Sequence, residues 1–128
     1  MRPTLVPHRP PAVLAAADLV ALAAFVTVGL LSHRGGISAT GYARDLVPIA
    51  GAWGATAVAL GTYRRHSTGR VVATWAVGVT VGILVRAAVV DRGFGGSEAA
   101  FLGVALAFTA LFVAAGRLAL GLAPVRQA

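Results

Sequence analysis

Residues Pro11–Leu31 read PAVLAAADLVALAAFVTVGLL, an apolar run whose one ionisable residue is Asp18. Its length decides the fold class, because about 20 residues of helix rise about 30 Å, the thickness of a bilayer's hydrocarbon core. Three comparable runs follow, at Asp45–Tyr63, Val71–Val90 and Glu98–Leu122. Short connections between such helices force neighbours to be antiparallel. The expected architecture is all-α: an integral membrane bundle of four transmembrane helices in up-down-up-down order over residues 12–122. A proline-rich tail (1–11, with Pro3, Pro7, Pro10 and Pro11) precedes it, read as extended and mobile, and a short tail (123–128) follows.

Composition agrees. A chain of 128 residues is one domain by length, and 58% hydrophobic residues with only 12% charged would leave so small a globule short of polar surface. Both values suit a surface that faces lipid. Cysteine is absent, which excludes disulfides and thiolate chemistry in this chain. The net charge of +7 comes entirely from arginine, most of it placed at span ends and in loops. No interleaved aromatics accompany it, so nucleic acid is not an expected partner, and anionic lipid headgroups are. The use of arginine without lysine, with abundant Ala, Gly, Val and Leu, resembles the coding bias of a GC-rich, bacterial genome.

The arginines also orient the chain. Arg2, Arg9, Arg64, Arg65, Arg70 and Arg126 fall on one side, against Arg34, Arg44 and Arg92 on the other. The richer side is expected to be cytoplasmic, which puts both termini inside and makes the protein a multi-pass cell-membrane protein, in a bacterium the inner membrane. The first run is read as a retained span, because it is too long for a signal-peptide core and ends in Ser32-His33-Arg34 without a small-residue cleavage site.

Helices in lipid associate where small residues let backbones approach. Such a stripe runs through Thr74, Gly78, Gly82 and Arg86 of the third span. Others run through Ala50, Gly54, Ala57 and Gly61 in the second, and Gly103, Ala107, Ala110 and Ala114 in the fourth. Gly54, Gly78, Gly82, Gly103 and Ala107 are therefore expected helix-packing positions, within the chain or between copies in a homodimer. A faint parallel two-hairpin repeat accompanies them: Val26-Thr27-Val28-Gly29-Leu30-Leu31 recurs as Val79-Thr80-Val81-Gly82-Ile83-Leu84, and the same shift sets Asp45 on Glu98 and Arg64 on Arg117. Trp53, mid-span, reads as a packing residue or cavity wall; Tyr63 and Trp75 read as interface anchors, and Pro48 as a first-turn residue.

Three ionisable residues fall inside spans: Asp18, Arg86 and Arg117. A charge near the bilayer centre costs about 2.5–3.5 kcal/mol even on the mildest scale, so such groups face inward and pair. Depth selects the partners. Asp18 lies about 9–10 Å and Arg117 about 8 Å in from the cytoplasmic end, at 1.5 Å per residue. Arg86 shares the outer level with Asp45, where Ser32 and His33 complete a polar group. The plain reading is two structural pairs, Asp18–Arg117 and Asp45–Arg86, in a structural or partner-interacting bundle without enzymatic activity. The alternative is a small-solute or proton-coupled transporter using Asp18; an enzyme using His33 is a more distant reading. His8 and His66 read as solvated, and the three histidines do not have metal-ligand spacing. No metal, cofactor or catalytic residue is expected; the expected partners are the lipid bilayer and a second copy or another membrane protein.

The order Asp18-Leu19, Gly29, Ser32-His33, Pro48, Gly51, Trp53, Trp75, Gly82, Arg86 and Gly116-Arg117 resembles an uncharacterised four-helix prokaryotic membrane family, domain of unknown function 3054. The resemblance covers about residues 15–120 and implies a fold and a membrane location, with no assigned activity. The family usually has Trp-Pro-Phe where this chain has Val47-Pro48-Ile49. Small multidrug exporters share the helix number and a carboxylate in the first helix, but their surrounding motif is absent here.

Overall fold

The computed structural model describes residues 4–32, 37–89 and 96–122. They form four helices: α1 (Pro11–Leu31), α2 (Ala39–Leu60), α3 (Thr68–Val89) and α4 (Gly96–Leu122). Pro11 occupies the first turn of α1, where its missing N–H costs nothing. α2 starts well before Asp45. Ser38 caps it, its side chain accepting the Gly41 N–H at 3.0 Å. Pro48 therefore lies in the helix interior rather than the first turn, and the carbonyl one turn back receives no N–H from it. Gly61 ends α2 with φ +66°, a left-handed conformation that glycine adopts without strain, while the Thr62 N–H returns to the Ala57 carbonyl at 2.9 Å.

Contacts between helix ends show the antiparallel order. Arg9, just before α1, donates to the Leu120 carbonyl near the end of α4 at 2.7 Å. Tyr63, just after α2, reaches Asp18 early in α1, and Arg86 late in α3 reaches Asp45 early in α2. The helices form a ring in which each touches two neighbours, α2 and α3 most extensively, followed by α1 and α4. The core that fills the ring includes Leu22, Phe25, Ile49, Trp53, Val79, Ile83 and Ala105.

The α2–α3 seam is close because α3 presents glycine to it. A Cβ on Gly82 would stand 2.7 Å from the Ile49 Cα, and one on Gly78 would stand 3.0 Å from the Trp53 Cα. The expected seam positions of α4 and of mid-α2 do not behave this way. A Cβ on Gly54 or Gly103 meets nothing within 4 Å, and Gly103 and Ala107 are exposed. The buried residues of α4 are instead Ala105, Thr109, Val113 and Arg117, one helical turn apart, with the largest inward group setting the face.

Among the described residues, three helices are long and apolar enough to cross a membrane, over Pro11–Leu31, Thr68–Ala88 and Ala99–Leu122. α2 is long enough but less apolar, since it carries Tyr42, Arg44, Asp45 and several glycines and threonines. The four-helix, all-α architecture is as expected, with α2 the least apolar of the four. α2 nevertheless runs the length of the bundle, because it links the end of α1 to the start of α3. The outer surface is apolar: Leu31, Val47, Val58 and Leu111 are all more than half exposed.

Candidate functional site

Asp18 and Arg117 are the most deeply buried charges described, each 1% exposed. Arg117 approaches the carboxylate with two N–H groups, Nε to Oδ1 at 2.9 Å and Nη2 to Oδ2 at 2.6 Å. This fork geometry is the strongest form of the pair. Tyr63 donates its hydroxyl to Asp18 Oδ2 at 2.7 Å, and Trp53 Nε1–H donates to the Tyr63 hydroxyl at 2.8 Å. The remaining reach of Arg117 goes to the N-terminal segment, Nη1 donating to the Leu5 carbonyl at 2.8 Å. Its guanidinium carbon lies 5.8 Å from the centre of the Tyr63 ring. The chain of bonds Trp53–Tyr63–Asp18–Arg117–Leu5 thus joins α1, α2, α4 and the tail.

Tyr63, expected as an interface anchor, is also a hydrogen-bonding member, and Trp53, expected as a packing residue or cavity wall, packs in the core and donates its indole N–H. Tyr63 follows the C-terminal end of α2 and Asp18 lies in the N-terminal part of α1, which antiparallel packing brings to one level, and that shared level was the available signal. The described part of the tail is packed against the bundle. Pro7 is buried, Leu5 and Arg9 bond to α4, and the rings of His8 and His66 lie 4.5 Å apart.

The second pair sits at the opposite end. Arg86 Nε donates to Asp45 Oδ1 at 2.8 Å, with side-chain exposures of 11% and 15%. Asp45 also receives Arg44, through Nε at 2.9 Å and Nη2 at 3.2 Å, and Arg86 lies over the Phe101 ring at 4.6 Å. Ser32, at the end of α1, donates its hydroxyl to the Val28 carbonyl at 2.8 Å. Ser32, Asp45 and Arg86 line one cavity of about 350 Å³, otherwise walled by apolar residues such as Phe25, Phe101 and Phe108. His33 lies outside the described residues.

Two further cavities are lined by Leu5, Trp75 and Val113 and by the turn after α2. Neither these nor the cavity at Asp45 is lined by Asp18 or Arg117. Trp75 Nε1–H instead donates across the α3–α4 seam to the Leu106 carbonyl at 3.0 Å and to Thr109 Oγ1 at 3.1 Å. On the other side of α3, the Thr62 and Thr74 hydroxyls meet at 2.6 Å.

Residues 15–120 match the family described as Protein of unknown function (DUF3054). The chain belongs to this family. No curated protein and no solved structure matches it. The DUF3054 match runs from just before Asp18 to just after Arg117, and so contains both members of each carboxylate–arginine pair. Where the chain has Val47-Pro48-Ile49, Val47 is largely exposed and Ile49 is buried against Gly82.

Proposed function

We propose that this DUF3054 protein is a multi-pass membrane protein whose role is structural or partner-binding, neither catalytic nor transporting. The observation that carries this reading is the closure of the Asp18–Arg117 site. Both charges are 1% exposed, and each carboxylate oxygen is already hydrogen-bonded by protein. A carboxylate that loads and releases a proton or solute needs a path to water. Here Tyr63, Trp53 and the Leu5 segment occupy its surroundings, and the bidentate pair fixes how α1 and α4 meet.

Three membrane-capable helices and an outward apolar surface support the membrane assignment. α2 crosses with them, its polar residues turned to Arg86 and to the bundle end. Arg9, Arg64, Arg65 and Arg70 gather at the end that carries the N-terminus, against Arg44 and Arg86 at the other, so both termini are assigned to the cytoplasm of a bacterial cell. The exposed face of α4, with Gly103 and Ala107, is open to a second copy or a partner helix.

Proton and solute flux in proteoliposomes tests the reading. Wild type and Asp18→Asn should both match empty liposomes. Flux in the wild type that disappears in Asp18→Asn would establish the transporter instead. Reporter fusions after Ala128 and in the α1–α2 connection test the orientation, and a terminal fusion active outside the cell would reverse it.

A further inference from the structure

The turn that joins α2 to α3 holds two arginines, Arg64 and Arg65, that meet no carboxylate among the described residues. Ala59, Leu60, Gly61, Arg64, Arg65 and Arg70 line a concavity of about 430 Å³. The left-handed Gly61 fixes its floor, and the backbone N–H groups of Arg64 and Arg65 both return to the Gly61 carbonyl at 3.1 Å, so the two arginines leave a tight, hydrogen-bonded turn. Arg70 enters from the first turn of α3, and its Nη1 donates to the Leu60 carbonyl. That bond accounts for Arg70 as a cation at a helix C-terminus. It does not account for Arg64 and Arg65, which are exposed and form no ion pair among the described residues.

Acid is scarce at this end. The chain has four acidic residues. Asp18 is spent on Arg117 inside the bundle, and Asp45 is held by Arg44 and Arg86 at the other end. Asp91 lies outside the described residues, and Glu98 is in the first turn of α4, whereas Arg117 is near its last. Like charges crowded without a counterion repel, and a bound anion relieves that repulsion. Three arginines lining one concavity suit the tetrahedral oxygens of a phosphate group.

We propose that Arg64, Arg65 and Arg70 form a phosphate-binding site at the α2–α3 turn. The ligand is a phosphate group, carried by an anionic phospholipid headgroup or free in solution. The lipid source rests on the membrane reading above; the phosphate chemistry does not.

The test uses the purified full chain in neutral detergent. Retention of dioleoylphosphatidylglycerol is followed by native mass spectrometry, with dioleoylphosphatidylcholine as the zwitterionic control, and binding of inorganic phosphate is titrated separately. Each arginine near a headgroup contributes about a fivefold factor, so Arg64→Gln with Arg65→Gln should lower phosphatidylglycerol retention about 25-fold. Arg44→Gln, at the far end, should change it less than about twofold. Unchanged thermal unfolding of the variants shows that the fold persists. Binding of phosphatidylglycerol without inorganic phosphate assigns the site to lipid. Inorganic phosphate that binds and is lost in the double variant assigns it to the free anion. Equal losses in Arg44→Gln and in the double variant, or phosphatidylcholine held as well as phosphatidylglycerol, would overturn the site.

Discussion

Asp18 and Asp45 each meet an arginine from another helix, at 2.6 Å and 2.8 Å, yet the first pair is 1% exposed and the second 11–15%. Distance is nearly the same and surroundings are not. Asp18 has one arginine, held bidentate, and a tyrosine that is itself held by a tryptophan. Asp45 has two arginines, one of them 42% exposed, and borders an apolar cavity. The sealed pair has no water to replace a lost partner. The second pair is partly exposed and has a spare arginine, Arg44. On the proposed structural role, burial rather than contact distance decides which pair holds the bundle together.

Removing one partner from each pair gives the largest expected contrast. Arg117→Leu leaves Asp18 uncompensated in the interior and should cost about 3–5 kcal/mol of unfolding free energy. Arg86→Leu leaves Arg44 on Asp45 and should cost about 1 kcal/mol or less. Reversible unfolding in mixed micelles measures both. Equal losses would erase the distinction between the two ends.

A second contrast lies in the glycines. Gly82→Leu drives a side chain into the Ile49 backbone and should cost about 3 kcal/mol. Gly103→Ala adds a methyl where nothing lies within 4 Å and should be neutral or stabilising by about 0.5–1 kcal/mol. Thermal melting of the two variants in one detergent compares them, and a destabilised Gly103→Ala would place an unseen packing surface on α4.

Truncation of residues 1–6 removes the Leu5 carbonyl from Arg117. A hydrogen bond to a charged group is worth about 1.5–3 kcal/mol, and water entering the opened end should restore part of it. The net loss should be about 1 kcal/mol, accompanied by faster hydrogen exchange early in α1. Unchanged exchange there would mean that the tail does not seal the pair.

The sequence made some of this legible and not the rest. The span of α1 and the α3 stripe Thr74–Gly78–Gly82–Arg86 were readable because helical period and residue size directly encode which face is close. The two ion pairs were readable because, in an apolar interior, depth leaves each carboxylate few arginines to meet. The start of α2 was not, since Ser38 and Gly41 look like loop residues until the Ser38 side chain is seen taking the Gly41 N–H. That misplacement carried Pro48 into the wrong turn. Gly103 and Ala107 make no seam within the chain, because small residues mark close approach only when they face a neighbour. Arg117 and Thr109 fixed a different face inward. Tyr63 and Trp53 were recognisable as aromatics near an end and in mid-span, but their hydrogen-bond chain depends on how the turn at Gly61 aims the Tyr63 ring.

The most direct test of the sealed pair as the structural lock is a double-mutant cycle of Asp18→Leu and Arg117→Leu on reversible unfolding. The expected coupling is about 2–3 kcal/mol, with the double variant more stable than Arg117→Leu alone, because two apolar side chains suit the interior better than one orphaned charge. A coupling near zero, with the double variant losing the sum of the single losses, would contradict a lock built on Asp18 and Arg117.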